Sequence, residues 1–210
     1  MRRTGTTAAA LCLVLVLAGA VGAQIVSETT AGATTEEIIG RMRELESAVD
    51  GMPDDVELRI ELGNVYYESN MYEQAEAQYL AVTEMDSTHA GAHLNLGTLY
   101  TDMGKIDAAV QELEIALSLD PENAMIVTNL GSAYYATHRF SDAIDMYRVA
   151  LHLDPNNVEA HFNMGVAFAD AQIFDEAINE WQRVIELDPD GQAAQVCRDN
   201  IEMINEFRGE

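Results

Sequence analysis

The chain has 210 residues, of which 36 are acidic and 11 are lysine or arginine, so its formal net charge is −25 at pH 7. A surface this acidic repels nucleic acids and anionic membranes, which excludes both as expected partners, and it favours cationic partners or divalent ions. With 48% hydrophobic residues the chain can bury a continuous core, and nothing in it indicates a second globular domain.

The first 23 residues have the pattern of a secretory signal peptide. Arg2 and Arg3 make a basic start, residues 8–20 are apolar throughout, and small residues fill 21–23. This arrangement predicts cleavage after Ala23 and an extracytoplasmic protein, either periplasmic or secreted. The apolar run is short for a membrane span, so no stable membrane insertion is expected after cleavage. The alternative is a chain that stays anchored by an uncleaved signal.

Residues 24–35 are rich in threonine, alanine and serine and have no apolar periodicity, which predicts a flexible tether with hydroxyls available for glycosylation. Residues 36–50 are predicted to form a short helix with one apolar seam, made by Ile38, Met42, Leu45 and Val49. This seam has two interpretations. It docks on the neighbouring structure as an N-terminal cap, or it joins two chains into a homo-oligomer through heptad-like contacts.

The largest part of the chain is an internal repeat. Residues 56–191 divide without a gap into four units of 34 residues, 56–89, 90–123, 124–157 and 158–191. Each unit has a glycine at its eighth position (Gly63, Gly97, Gly131, Gly165) and an alanine at its twentieth (Ala75, Ala109, Ala143, Ala177). Within 90–123 the apolar residues follow helical spacing twice, and Gly104 separates the two runs. Each unit is therefore predicted to be a helical hairpin.

This pattern resembles the tetratricopeptide repeat, a 34-residue helix-turn-helix motif with leucine-glycine, tyrosine, alanine, aromatic and proline anchors. The resemblance covers about two-thirds of the chain. It implies an all-α fold, a right-handed α-solenoid of four units with N- and C-terminal capping helices. One hairpin cannot bury its own apolar face, whereas stacked neighbours can. Residues 192–207 are predicted to be the C-terminal capping helix, because Ala194, Cys197, Ile201 and Ile204 form one apolar stripe.

Cysteine and histidine offer little chemistry. After signal cleavage Cys197 is the remaining cysteine, and it is either a small buried residue in the capping helix or half of an interchain disulfide. His93 and His161 share one repeat position, which favours packing over metal binding, and His89 precedes the helix that carries His93. No nucleophile elbow, phosphate-binding glycine loop or CxxC motif occurs. We therefore expect neither a metal, a cofactor nor an enzymatic activity.

The resemblance implies a peptide-binding groove lined by the first helix of each unit. Carried onto this chain, the groove presents twelve residues: Asn64, Tyr67, Glu68, Asn95, Thr98, Asp102, Asn129, Ser132, Tyr135, Asn163, Val166 and Asp170. Asn95, Asn129 and Asn163 form a ladder at one repeat position. Asparagine has a donor and an acceptor that match a peptide backbone, so the ladder favours an extended ligand. A second interpretation is that asparagine is simply common at this position.

The nature of the partner follows from what the groove lacks. Chaperone adaptors of the same family clamp a C-terminal carboxylate between asparagines and basic residues. Asn64 and Asn95 match those asparagines, but Ile60, Met125 and Asn129 stand where the basic residues belong. Without these cations an acidic tail loses its charge-assisted hydrogen bonds, so a neutral or basic peptide is expected. The first hypothesis is thus an extracytoplasmic protein-interaction scaffold, and the alternative is a self-assembling structural protein of the cell envelope or exterior.

Overall fold

The computed structural model describes residues 35–209, and these residues form ten α-helices and no strand. In chain order the helices are α1 Thr35–Gly51, α2 Val56–Glu68, α3 Tyr72–Met85, α4 Ala90–Asp102, α5 Ile106–Leu119, α6 Ala124–Ala136, α7 Phe140–Leu153, α8 Val158–Asp170, α9 Phe174–Leu187 and α10 Gln192–Arg208. The predicted all-α repeat fold is confirmed. The predicted signal peptide and nearly all of the predicted tether lie outside the described residues.

Helices α2 to α9 form four hairpins, and the repeated glycine sets how closely the two helices of each hairpin approach. A Cβ atom on Gly131 would lie 2.6 Å from Cε1 of Tyr147, which belongs to the other helix of the same hairpin. The other three repeat glycines would meet Tyr79, Leu113 and Trp181 in the same way, each at 2.5 Å. A large side chain from the second helix therefore fills the space that each glycine leaves.

The turn inside each hairpin also repeats. Asn70, Gly104, His138 and Gln172, spaced by 34 residues, all have left-handed backbone conformations with φ between 58° and 71°. The second helices that follow these turns have no side-chain N-cap. The first helices instead have capping side chains, from Asp55, His89, Asn123 and Asn157.

The hairpins stack so that their first helices form one inner surface. Helix α4 contacts α6 and α6 contacts α8, whereas the second helices make no comparably close contacts with one another. The repeat therefore curves around the first helices. The core between the layers contains the repeat alanines, each 0% exposed, and the side chains that face the glycines.

Helix α1 closes the N-terminal end by occupying the place of a second helix from a preceding unit. Tyr66 donates its hydroxyl hydrogen to Glu46 of α1 at 2.7 Å, as Tyr134 donates to Glu114 of α5 at 3.0 Å. Leu45 and Val49 are each 7% exposed and pack against the first hairpin. Leu45 and Val49 of the predicted seam thus pack within the chain, as the capping interpretation predicts, whereas Ile38 and Met42 stay partly exposed. A homo-oligomer through all four residues would require Leu45 and Val49 to leave the first hairpin.

Helix α10 closes the other end in the place of a first helix from a fifth unit. Its Cys197 is 0% exposed, and burial raises the pKa of the thiol to about 12. An interchain disulfide would require α10 to detach from the stack. In the folded chain Cys197 is therefore a buried core residue, and the predicted alternative of an interchain disulfide does not fit this structure. Both ends carry a charge where the next helix would pack, because Asp199 takes the repeat-glycine position and Arg41 takes the repeat-alanine position. A polar outer face of this kind ends a stack.

Candidate functional site

The inner surface of the described residues has a ladder of amide hydrogen bonds that joins successive first helices. Nδ2 of Asn95 donates to Oδ1 of Asn64 at 3.3 Å. Nδ2 of Asn129 donates to Oγ1 of Thr98 at 2.8 Å, and Nδ2 of Asn163 donates to Oγ of Ser132 at 3.1 Å. The asparagines at this repeat position therefore have a structural role, because each one links its unit to the preceding unit.

The ladder also keeps hydrogen-bonding capacity for a ligand. An asparagine amide has two N–H donors and one carbonyl acceptor, and each of these three amides uses one donor in the contacts above. Within residues 35–209 no hydrogen bond reaches the side-chain carbonyl oxygens of Asn95, Asn129 or Asn163, and all three side chains are half-buried. Three acceptors thus face the inner surface in a row, one per unit.

Tyrosines from the second helices support this row from behind. Tyr79 donates to Oδ1 of Asn64 at 2.8 Å, and Tyr147 donates to Oγ of Ser132 at 3.3 Å. Burial raises the pKa of Tyr79, and the nearby Glu68 carboxylate adds to the increase. Both phenols are therefore neutral donors that fix the orientation of the groove residues.

Val166 differs from the prediction. It occupies the same repeat position as Thr98 and Ser132, but it is only 4% exposed and packs in the core. An apolar side chain there gains more from burial than from facing water. The inner surface at the fourth unit is therefore provided by Asn163 and Asp170 rather than by Val166.

Two tyrosine–aspartate pairs cross between neighbouring first helices. Tyr67 donates its hydroxyl hydrogen to Asp102, and Tyr135 donates to Asp170. Burial, followed by the hydrogen bond to the aspartate, raises the pKa of each tyrosine. Burial also raises the pKa of the Asp102 carboxyl, an effect that the Tyr67 hydrogen bond partly offsets. All four of these residues are predicted groove residues, and the structure brings them together as two matched pairs.

Sequence reasoning named Met125 only as the replacement for a basic residue, and it missed Glu159. Met125, at the start of α6, is 58% exposed and presents an apolar side chain one helical turn before Asn129. Glu159, at the start of α8, is half-buried, and burial raises the pKa of its carboxyl to about 7. It lies close enough to Tyr147 to raise the pKa of that phenol.

A doubled period was missed as well. A shift of 68 residues, two units, superimposes Tyr67 on Tyr135 and Asp102 on Asp170, and it also superimposes His93 on His161. The signal is visible in the sequence when alternate units, rather than adjacent units, are compared.

The histidines are part of the packing between helices. His93 Nδ1 lies 2.7 Å from Oε2 of Glu112, and its Nε2 lies 3.2 Å from the Ser87 carbonyl oxygen. His161 repeats this arrangement with Glu180 at 2.6 Å and Pro155 at 3.1 Å. In the part of the chain that the structure describes, no group of three or more histidine, cysteine or acidic residues is placed to hold a metal ion. Nor does any helix between residues 35 and 209 have the length and apolar character needed to cross a bilayer.

Comparison with known families identifies the repeat. A tetratricopeptide repeat family model matches residues 94–158 and 128–192, and a second TPR repeat model matches residues 63–104. Together the matches cover more than half of the chain. No protein with a curated description matches the sequence.

Several solved structures are similar to the chain. MamA from Desulfovibrio magneticus RS-1 is 18% identical, with a TM-score of 0.66 over 85% of this chain and 97% of that one, a likeness that concerns the fold alone. YrrB, described as a TPR protein with an unusual peptide-binding site, is 26% identical, with a TM-score of 0.59 over 76% of this chain and 84% of its own. The first TPR of Spaghetti (RPAP3), bound to the HSP90 peptide SRMEEVD, is 27% identical, with a TM-score of 0.54 over 60% of this chain and 97% of its own.

Proposed function

Because the chain belongs to the tetratricopeptide repeat family, whose members are protein-interaction scaffolds and not enzymes, we propose that it holds an extended segment of a partner protein against its inner surface. The observation that carries this proposal is the row of side-chain carbonyl oxygens on Asn95, Asn129 and Asn163. Such a row can accept hydrogen bonds from the backbone N–H groups of an extended peptide.

Two of the similar structures support binding of this kind. YrrB is a TPR protein with an unusual peptide-binding site, and the Spaghetti repeat holds the HSP90 peptide SRMEEVD, in which three of the seven residues are acidic. The present chain differs from a carboxylate-binding adaptor, because Ile60, Met125 and Asn129 replace the basic residues of the clamp. Asp102 and Asp170 add negative charge to the same surface. The ligand that fits is therefore a neutral or basic peptide.

The proposal is tested with peptides of defined charge. Fluorescein-labelled extended peptides of neutral, basic and acidic composition are titrated with the protein and followed by fluorescence polarisation. We expect the neutral and basic peptides to bind and the acidic peptides to bind more weakly. The triple variant N95A/N129A/N163A should lose most of this affinity, since it removes the acceptor row.

A matched control separates lost binding from lost structure. The variant Q74A/Q111A/N179A removes three exposed amides from the second helices and should bind as the unchanged protein does. The circular dichroism spectrum of the asparagine variant should remain that of a helical protein. Each lost hydrogen bond between units contributes only about 0.5–1.5 kcal/mol to the free energy of unfolding. Equal affinity in both variants, or preferred binding of acidic peptides, would exclude the groove as proposed.

We also propose that the mature protein acts outside the cytoplasm, as a cleaved product that begins after Ala23. The support for this location is the charge and apolar pattern of residues 1–23 alone. N-terminal sequencing of the protein from fractionated cells tests it. A product that retains Arg2 and Arg3 would favour an uncleaved anchor, and recovery with cytoplasmic markers would contradict export.

A further inference from the structure

The two tyrosine–aspartate pairs are parts of larger, matched arrangements on the inner surface. In the first, which we call the Tyr67 site, the Tyr67 ring packs against the Tyr72 ring with centroids 5.9 Å apart, and the Tyr67 hydroxyl holds Asp102. In the second, the Tyr135 site, the Tyr135 ring packs edge-on against Phe140 at 5.4 Å, and the Tyr135 hydroxyl holds Asp170. Each site therefore combines two aromatic rings with one fixed carboxylate.

The carboxylates of both sites have no positive partner within residues 35–209. A carboxylate accepts about four hydrogen bonds, and the tyrosine hydroxyl satisfies one of these positions. The cationic side chains that follow these sites in the sequence pair with other carboxylates. Lys105 Nζ lies 3.2 Å from Glu76, and Arg139 Nε lies 2.7 Å from Asp142. A half-buried carboxylate without a cation is unfavourable, so each site gains from the arrival of a positive charge.

The aromatic rings make a guanidinium the best-fitting cation. Phe140 is 37% exposed, although the His138 ring packs edge-on against it at 5.7 Å, and Tyr67, Tyr72 and Tyr135 are half-buried, so each pair of rings keeps some accessible surface. An arginine side chain stacks on aromatic faces and donates two parallel hydrogen bonds to a carboxylate, whereas lysine acts as a point charge. The site chemistry thus selects arginine over lysine and rejects acidic side chains.

The spacing between the sites adds a second requirement. The junction between α4 and α6 lacks such a site, because Thr101 and Ala136 take the places of the tyrosine and the aspartate. The two sites are therefore two first-helix steps apart, about 16–20 Å for helices packed at 8–10 Å. An extended chain advances about 3.3 Å per residue and points successive side chains to opposite faces, so two side chains that both face the inner surface across this distance are about six residues apart.

We propose that the preferred ligand is an extended segment with two arginines about six residues apart, one in the Tyr67 site and one in the Tyr135 site. This inference rests on the proposed function, since it assumes that the inner surface binds an extended segment. The asparagine row lies along the same first helices and would hold the intervening backbone.

The test varies the separation of two arginines in otherwise Gly/Ser peptides, with blocked ends, from two to nine positions. Affinity should be highest at a separation of about six and should fall when lysine replaces arginine. Asp102→Asn and Asp170→Asn each keep the acceptor for the tyrosine but remove the charge. Each should weaken the best peptide roughly tenfold and abolish the dependence on separation.

Asp107→Asn is the matched control, because it removes the same charge from an exposed position on α5 and should leave the affinity unchanged. Neutral peptides that bind while separation has no effect would overturn the paired sites and leave the proposed function intact. Equal losses in the Asp102, Asp107 and Asp170 variants would also overturn them, as a general charge effect. Absence of binding by every peptide would overturn both proposals.

Discussion

The contact between Gly131 and Tyr147 allows a direct prediction about the close packing of the repeat. In Gly131→Ala the new Cβ would lie 2.6 Å from Cε1 and 2.9 Å from Cδ1 of Tyr147, and 3.2 Å from Cβ of Met146. Tyr147 is 1% exposed and its hydroxyl bonds Ser132, so the ring has little room to move. Alanine favours a helix over glycine by about 1 kcal/mol, whereas overpacking costs about 1–3 kcal/mol.

The two effects oppose each other, and packing is the larger. We expect Gly131→Ala to lower the free energy of unfolding by about 1 kcal/mol, and Gly131→Val to lower it by about 2–3 kcal/mol because valine is larger and a poorer helix former. Gly40→Ala is the control, since Gly40 lies inside α1 and no atom comes within 4 Å of its added Cβ. The free energy of unfolding of that variant should rise by about 0.5–1 kcal/mol. Urea unfolding followed by circular dichroism measures all three. If Gly131→Ala were stabilised as much as Gly40→Ala, the close approach of the two helices would be refuted.

Three further predictions concern single residues. Because burial raises the pKa of Glu159 from 4.5 to about 7, the folded chain binds more protons than the unfolded chain between these values and loses stability as the pH rises through them. Glu159→Gln should therefore raise the free energy of unfolding, measured in urea, by about 1–3 kcal/mol at pH 8 and by little at pH 4. The same increase at both pH values would exclude titration of Glu159 as the cause. Gln172→Gly should raise the free energy of unfolding by about 0.5–1 kcal/mol by relieving a left-handed backbone with φ of 61°, and Gln172→Ala should not; an equal gain from both would contradict this reason. Cys197 should react with a thiol reagent only when urea unfolds the chain, whereas rapid labelling of the native protein would show that α10 opens.

The hairpins were predictable from the sequence because the glycine and alanine positions are fixed by contact between two helices. A residue larger than glycine opposite Tyr147 would separate the helices, so the repeat keeps glycine there and its period is easy to detect. The same physical constraint makes unit boundaries readable without knowledge of the partner. Such constraints act on packing, and they say little about exposed residues.

The groove was only partly predictable for this reason. The sequence predicts which residues line the inner surface from their position in the repeat. Val166 was predicted to line it only because it shares the repeat position of Thr98 and Ser132. Burial of Val166 depends on its side chain and on its neighbours in the core, which position does not report. The raised pKa of Glu159 likewise depends on burial in three dimensions.

The pairing of tyrosine with aspartate required the stacked structure. Tyr67 and Asp102 are 35 residues apart and belong to different units, so no local pattern connects them. Their contact arises because one first helix packs on the next. Comparison of alternate units would have revealed that both pairs recur together, but the chemistry of each site becomes evident only when the rings and the carboxylate are adjacent.

The side-chain amide signals of the asparagines report most directly whether the inner surface binds a ligand. The measurement is an ¹⁵N–¹H NMR titration of the mature protein with a Gly/Ser peptide that contains two arginines. We predict that the Nδ2 signals of Asn95, Asn129 and Asn163 shift with added peptide, while the exposed amides of Gln111 and Asn179 on the second helices do not. Shifts confined to Gln111 and Asn179, with the three asparagines unchanged, would contradict a binding groove on the first helices.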